Sequence, residues 1–287
     1  MSNNAAKFTI RQLLEAGVHY GHRKNFWNPK MEKYIYGTRN GVHIVDLQKT
    51  APMLREALNV LKDVASRNGR ILFVGTKKSA NELVAEQAAR CGQYYVNHRW
   101  LGGMLTNWST VSASIKTLAE YEKILADEHS GLNKKELLEI ERKRLKLDNV
   151  LGGIRNMGGK PDVVFVIDRR QEDLAIQEAK KLGIPVIAIV DTNSSPDDID
   201  YVIPGNDDAR KAIELYTSLA AEAILSGMQA GLASSGLDIK PVDMKDADIA
   251  NSEMPETMEK SEDSKKKSAT VVTKKKKPAP KAEAKSE

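Results

Sequence analysis

The sequence predicts an α/β fold built on a parallel sheet with helices on both faces, and two stretches carry that prediction. The first, Pro161 to Asn193, reads as strand, helix, strand. Val163 to Ile167 is a continuous apolar run, as expected of a strand covered on both faces, rather than an alternating one. Leu174, Ala175, Ile176, Ala179 and Leu182 then recur at helical spacing, Gly183 supplies a left-handed C-terminal cap, and Val186 to Val190 is a second apolar run. Parallel strands need such a crossover. The second stretch, Arg70 to Arg90, repeats the theme: an apolar strand to Val74, a turn at Gly75-Thr76-Lys77-Lys78-Ser79, and a helix from Ala80.

Composition narrows the class. With 287 residues, 41% hydrophobic and 29% charged, the chain can bury one large domain plus appendages. No apolar run approaches the 18 or so residues of a membrane span, and the N-terminus lacks an apolar signal core, so neither membrane nor export is expected. Cys91 is the sole cysteine, which rules out an internal disulfide, fits a reducing cytoplasmic setting, and reads as an inert buried thiol. A net charge of +5 favours an anionic partner.

Taken in order, Thr9 caps a short helix, Ile10 to Ala16, closed by Gly17. Up to residue 40, cations (Arg23, Lys24, Lys30, Lys33 and Arg39 among them) are interleaved with Tyr20, Phe26, Trp27, Tyr34 and Tyr36. That pattern suits phosphate contacts and base stacking, or equally a solvated surface with aromatics tucked inward. Tyr34 to Tyr36 and Val42 to Val45 flank Asn40-Gly41, a hairpin turn signal. Thr50 opens a helix with Pro52 in its first turn and Asn68-Gly69 at its end. Tyr94 to Val96 reads as a strand. From about Thr110 to Leu151, two apolar stripes separated by a polar tip with an Asn133/Glu136 capping box predict an antiparallel helical hairpin within 104–151, with arms of roughly 30 Å at 1.5 Å per residue. Tyr201 to Ile203 is a last strand, and Asn206 or Asp207 caps a final helix. A 1–236 domain is therefore expected. Residues 237–287, with Lys265 to Lys267 and Lys274 to Lys277, read as a disordered Lys-rich extension.

Four segments carry a family resemblance: LLEAGVHYGH (13–22), RWLGGMLTN (99–107), PDVVFVIDRRQEDLAIQEAKKLGIPVIAIVDTN (161–193) and IDYVIPGNDDA (199–209). Over roughly residues 5 to 230 the chain resembles the bacterial small-subunit ribosomal protein two family. The resemblance implies a flavodoxin-like sheet in strand order 2-1-3-4-5 and a protruding coiled-coil hairpin. It also implies a structural, non-catalytic role in the small ribosomal subunit, with small-subunit ribosomal RNA bound and the large mRNA-binding ribosomal protein one recruited. A ribosome-bound, cytoplasmic protein without cofactor or metal follows. The Lys-rich extension departs from the family pattern.

Charge nominates Arg23, Lys24, Lys30, Lys33, Arg39, Lys77, Lys78 and Arg99 as RNA contacts. A rival reading is an enzyme, because open α/β sheets bind ligands beyond the carboxyl ends of their strands. Gly75 to Ser79, Asp168 and Asp191 would lie on that edge, with His22 joining the aspartates around a divalent ion. Against it, the chain has no Walker A ending, glycine-rich fingerprint or Ser-His-Asp spacing. Asp168 and Asp191 read instead as loop caps or partners of Arg169 or Arg170. A free-standing RNA-binding protein is a third reading, without RRM or KH signature.

Overall fold

A computed structural model describes residues 8–127 and 132–234. The Lys-rich extension after residue 237 and part of the predicted polar tip lie outside the described residues.

Helix α1 (Ile10–Glu15) starts at Thr9, whose Oγ1 accepts the Gln12 amide at 3.2 Å while the Thr9 amide donates back to Gln12 Oε1 at 2.8 Å. Gly17 turns the chain at φ +78°. A strand that the sequence reading did not foresee follows, β1 (Tyr20–Arg23), and then a 3-10 helix at Pro29–Tyr34. Strands β2 (Ile35–Arg39) and β3 (Val42–Val45) form the expected hairpin. Asn40 and Gly41 both sit at positive φ, 51° and 76°, as a type I′ turn requires. The three strands pair antiparallel in the order β1-β3-β2.

Helix α2 (Leu47–Ser66) begins earlier than predicted. Asp46 is the cap, its Oδ1 accepting the Gln48 amide at 3.0 Å, and the Thr50 hydroxyl donates instead to the Pro204 carbonyl at 2.7 Å inside the core. Pro52 therefore sits inside the helix rather than in its first turn.

Strand β4 (Ile71–Val74), helix α3 (Asn81–Arg90) and strand β5 (Tyr94–Val96) come next, then α4 (Trp108–Ala126) and α5 (Lys134–Leu151), which pack on each other. The Asn133 amide donates to Glu136 Oε2 at 2.9 Å, as the predicted capping box requires. The described residues end with β6 (Val163–Val166), α6 (Asp173–Lys181), β7 (Val186–Val190), β8 (Tyr201–Pro204) and α7 (Arg210–Ser234).

The five-stranded sheet runs β5-β4-β6-β7-β8, all parallel. In chain order this is 2-1-3-4-5, the flavodoxin-like arrangement that the resemblance implied. Its central strands are buried throughout, and alternate residues feed two cores. Phe73, Phe165, Ile187 and Ile189 pack toward α2, α3 and α7, while Leu72, Val164, Val166 and Ala188 pack toward α6 and the roots of α4 and α5. The Phe73 and Phe165 rings meet edge-on at 5.4 Å. On the first face α7 lies tightly on α2. A Cβ at Gly227 or Gly231 would come within 2.3 Å of the Lys62 or Ser66 carbonyl, so the four-residue glycine spacing sets that approach. Cys91 is buried and burial pushes its thiol up to about 11, in keeping with an inert core residue.

The junction between α6 and α4 rests on one carboxylate. Glu178 Oε1 accepts Trp100 Nε1 at 3.0 Å and the Gly103 amide at 2.8 Å. Its Oε2 accepts the Leu105 amide, the Thr106 amide and the Thr106 hydroxyl at 2.9, 3.0 and 3.1 Å. Burial acts to raise its pKa, but these donors outweigh it and hold the group below its ordinary value. Arg155 ties the two helices together, reaching Glu122 at 2.5 Å and Asp148 at 3.5 Å.

Candidate nucleic-acid interface

The carboxyl ends of β4, β6 and β7 and the loop after β8 converge on a charged cluster. Asp168 follows β6 at φ +77°, a left-handed conformation that aspartate tolerates because its side chain bonds its own loop. Its Oδ1 accepts the Arg170 and Gln171 amides at 2.9 and 3.2 Å. Lys77 reaches across from the β4 turn to Asp168 at 3.2 Å, to Asp207 at 3.0 Å and to Asp208. Burial disfavours the charge on Lys77, but the surrounding aspartates more than compensate and raise its pKa above the ordinary lysine value. Asp207 shows the converse: burial, aided by Asp168 and Asp191, pushes it up to about 7.

The Gly75 to Ser79 turn, which the enzyme reading would use for a ligand, is occupied in part by the protein's own Glu172. Buried Glu172 accepts the Thr76 amide at 2.7 Å and the Thr76 hydroxyl at 2.6 Å. An anionic ligand would meet a resident carboxylate there, and the Lys77 ammonium is already paired with three aspartates. The sequence nominated Lys77 on charge, and the structure turns its ammonium inward.

The other half of the cluster joins the two sheets. Gly21 of β1 crosses the loop after β7 so closely that a Cβ would lie 2.7 Å from Thr192 Cγ2. The His22 amide donates to Thr192 Oγ1 at 2.9 Å. The His22 ring sits between two carboxylates, with Nδ1 3.0 Å from Asp191 Oδ2 and Nε2 3.3 Å from Asp208 Oδ2. Contact with Asp191 raises its pKa, against burial. His22, Asp191 and Asp208 each offer one ligand atom within 4.8 Å of the others, a nitrogen-and-oxygen donor set that can hold a divalent cation such as zinc. Asp168, which the sequence reading grouped with Asp191, serves Lys77 instead. Neither aspartate pairs with Arg169, which bonds Asp173 at 3.0 Å.

Six nominated cations, Arg23, Lys24, Lys30, Lys33, Arg39 and Lys78, are exposed on the three-stranded sheet, its flanking 3-10 helix and the β4 turn, and Arg99 is exposed before α4. Lys30 pairs with Asp197, and Lys33 stands 4.8 Å over the Tyr34 ring. Arg39 borders a trough of about 710 Å³ lined by Leu14, His19, Tyr20, Tyr36, Val42 and Ile44. Tyr36 is 81% exposed and Phe26 66% exposed. Trp27 is partly covered, its ring 5.4 Å from the His43 ring, and Trp100 is buried at the Glu178 junction.

A protein-family description, Ribosomal protein S2, matches residues 13–227. The chain belongs to the ribosomal protein S2 family. Relatives bearing the name small ribosomal subunit protein uS2 include that of Wolbachia sp. subsp. Drosophila simulans, 60% identical over 241 residues, 83% of this chain and 86% of the relative. That of Rhodospirillum centenum is 59% identical over 233 residues, covering 81% and 89%. That of Cereibacter sphaeroides is 58% identical over 238 residues, covering 83% and 95%. Members of the S2 family are structural ribosome components, and this chain is one of them rather than an enzyme. No helix among the described residues is long and apolar enough to cross a membrane.

Proposed function

We propose that residues 1–236 form a unit of the small ribosomal subunit that binds small-subunit ribosomal RNA through the three-stranded sheet and its neighbouring loops, in the cytoplasm. The supporting observation is the set of exposed cations interleaved with exposed aromatics on that sheet, in a chain of the S2 family. Arg23, Lys24, Lys30, Lys33, Arg39, Lys78 and Arg99 neutralise phosphates, and Lys77 acts as an internal counter-ion that holds the sheet ends together. The aromatic trough, largely apolar in its lining, suits a short protein segment better than a phosphate backbone. It is the natural place for the large mRNA-binding protein one to be recruited. Helices α4 and α5 form the protruding arm: Val111 and Leu118 are the only buried residues of α4, and Leu151 the only one of α5.

The test is sedimentation of a cell lysate at low magnesium. Near-stoichiometric co-migration with free small subunits is expected, and replacement of Arg23, Lys24 and Lys30 together by Ala lowers occupancy. A protein that stays at the top of the gradient while other small-subunit proteins sediment would end the reading. Full occupancy of the triple variant would remove the N-terminal segment from it.

A further inference from the structure

The ends of α2 and α7 leave a groove between them that the described residues do not cover. It holds about 450 Å³ and is lined by Ala65, Arg67 and Asn68 on one side and Met228, Gly231 and Leu232 on the other. Leu232 is 40% exposed at its edge. Arg67 is exposed as well; its Nε donates to the Asp63 carbonyl at 3.2 Å, and among the described residues it has no carboxylate partner.

Four other helices of the chain end in one way. After α1, α3 and α6 the chain turns at a glycine with positive φ, Gly17, Gly92 or Gly183, and after α2 it turns at Asn68. The following residue then donates its amide to the carbonyl five residues earlier. Val18 bonds Leu13 at 3.0 Å, and Gly69, Gln93 and Ile184 bond Val64, Ala88 and Ala179, each at 2.9 Å. Where that residue is apolar, as Val18 and Ile184 are, it is buried in the same core as the residue it bonds. Helix α7 runs to Ser234, and the sequence continues Ser235-Gly236-Leu237-Asp238-Ile239-Lys240. Gly236 stands where Gly17 and Gly183 stand, and Leu237 follows Leu232 by the same five residues.

We propose that Gly236 to Ile239 turns back over the end of α7 and closes this groove, with Leu237 packed on Leu232 and Met228. In an extended segment Leu237 and Ile239 point to one side and Asp238 to the other. The two apolar side chains therefore enter the groove together, and Asp238 stays at the rim beside Arg67. Being tethered to the groove's own wall, this segment meets it at a far higher effective concentration than any separate partner. The proposal is independent of the RNA reading. It moves the end of the domain from the expected residue 236 to residue 240 and makes the groove an internal seam of the fold.

The experiment uses the full-length protein with isotope-labelled methyl groups, at low concentration. Nuclear Overhauser contacts from the Leu237 and Ile239 methyls to Met228 and Ala65 are expected. Leu237→Asp should remove them and lower the thermal midpoint by about 2 to 8 °C. Gly236→Val keeps every apolar group but opposes the left-handed turn, and should remove the same contacts. Random-coil shifts for the Leu237 and Ile239 methyls would overturn the proposal, as would a midpoint that Leu237→Asp leaves unmoved. Contacts seen only between differently labelled molecules would also overturn it, and would give the groove to a second copy of the chain.

Discussion

Lys77, in the turn after β4, and Arg39, the last residue of β2, are both cations at strand ends, yet the chain uses them in opposite ways. Lys77 spends its charge inside, on Asp168, Asp207 and Asp208, and is only 21% exposed. Arg39 is exposed at the end of β2, beside an aromatic trough. The difference lies in what the other elements bring. The parallel sheet collects carboxylates from three loops at one edge, so a cation there is a structural counter-ion. The antiparallel sheet collects aromatics and no carboxylate excess, so its cations stay available. A cation's role in this protein is set by its neighbours across the sheet and not by its own segment.

The comparison predicts a gradient of effects. The largest belongs to Lys77→Ala, which leaves buried carboxylates uncompensated and should cost about 3–5 kcal/mol in urea unfolding. A variant of wild-type stability would mean that the cluster relaxes by proton uptake. Glu178→Ala comes next. It removes the acceptor for five donors and should cost about 2–3 kcal/mol, with faster hydrogen exchange at Gly103, Leu105 and Thr106. Because the folded-state pKa of Glu178 lies below its ordinary 4.5, its contribution is present above pH 4.5 and is lost as pH falls through the lowered value. Trp100 fluorescence followed through acid should show that step, and Glu178→Gln should abolish it. Gly21→Val drives a side chain into Thr192 and should cost about 1–3 kcal/mol, seen as easier proteolysis of the first 45 residues. The smallest stability effect belongs to Arg39→Ala and Lys24→Ala, each within about 0.5 kcal/mol. If Lys24→Ala destabilised as much as Lys77→Ala, the contrast between the two sheets would collapse.

The same contrast explains what could be read in the sequence. The unit from Pro161 to Asn193 was legible because continuous apolar runs and a helical stripe are local signals, and the structure returns β6, α6 and β7 within a residue or two. Strand β1 was not, since Tyr20–Arg23 has neither alternation nor apolar character and exists by virtue of pairing with β3. Thr50 resembled a helix cap because its type favours one, and only the distant Pro204 carbonyl shows where its hydroxyl goes. The inward turn of Lys77 needed Asp207 and Asp208, 130 and 131 residues further on, to be seen beside it. The five-fold engagement of Glu178 is equally non-local. Its one trace was that RWLGGMLTN and the α6 region both carry the family resemblance.

Glu178 also has a mechanical meaning. It grips the chain immediately before Trp108, where α4 begins, and α5 returns to the same root at Leu151. Eighteen residues of helix make a lever of about 27 Å, so a tilt of ten degrees at the pivot swings the far end by about 5 Å. That is more than the length of a hydrogen bond or ion pair made at that end. The rigidity of one glutamate's bonds thus fixes the aim of residues that never touch it.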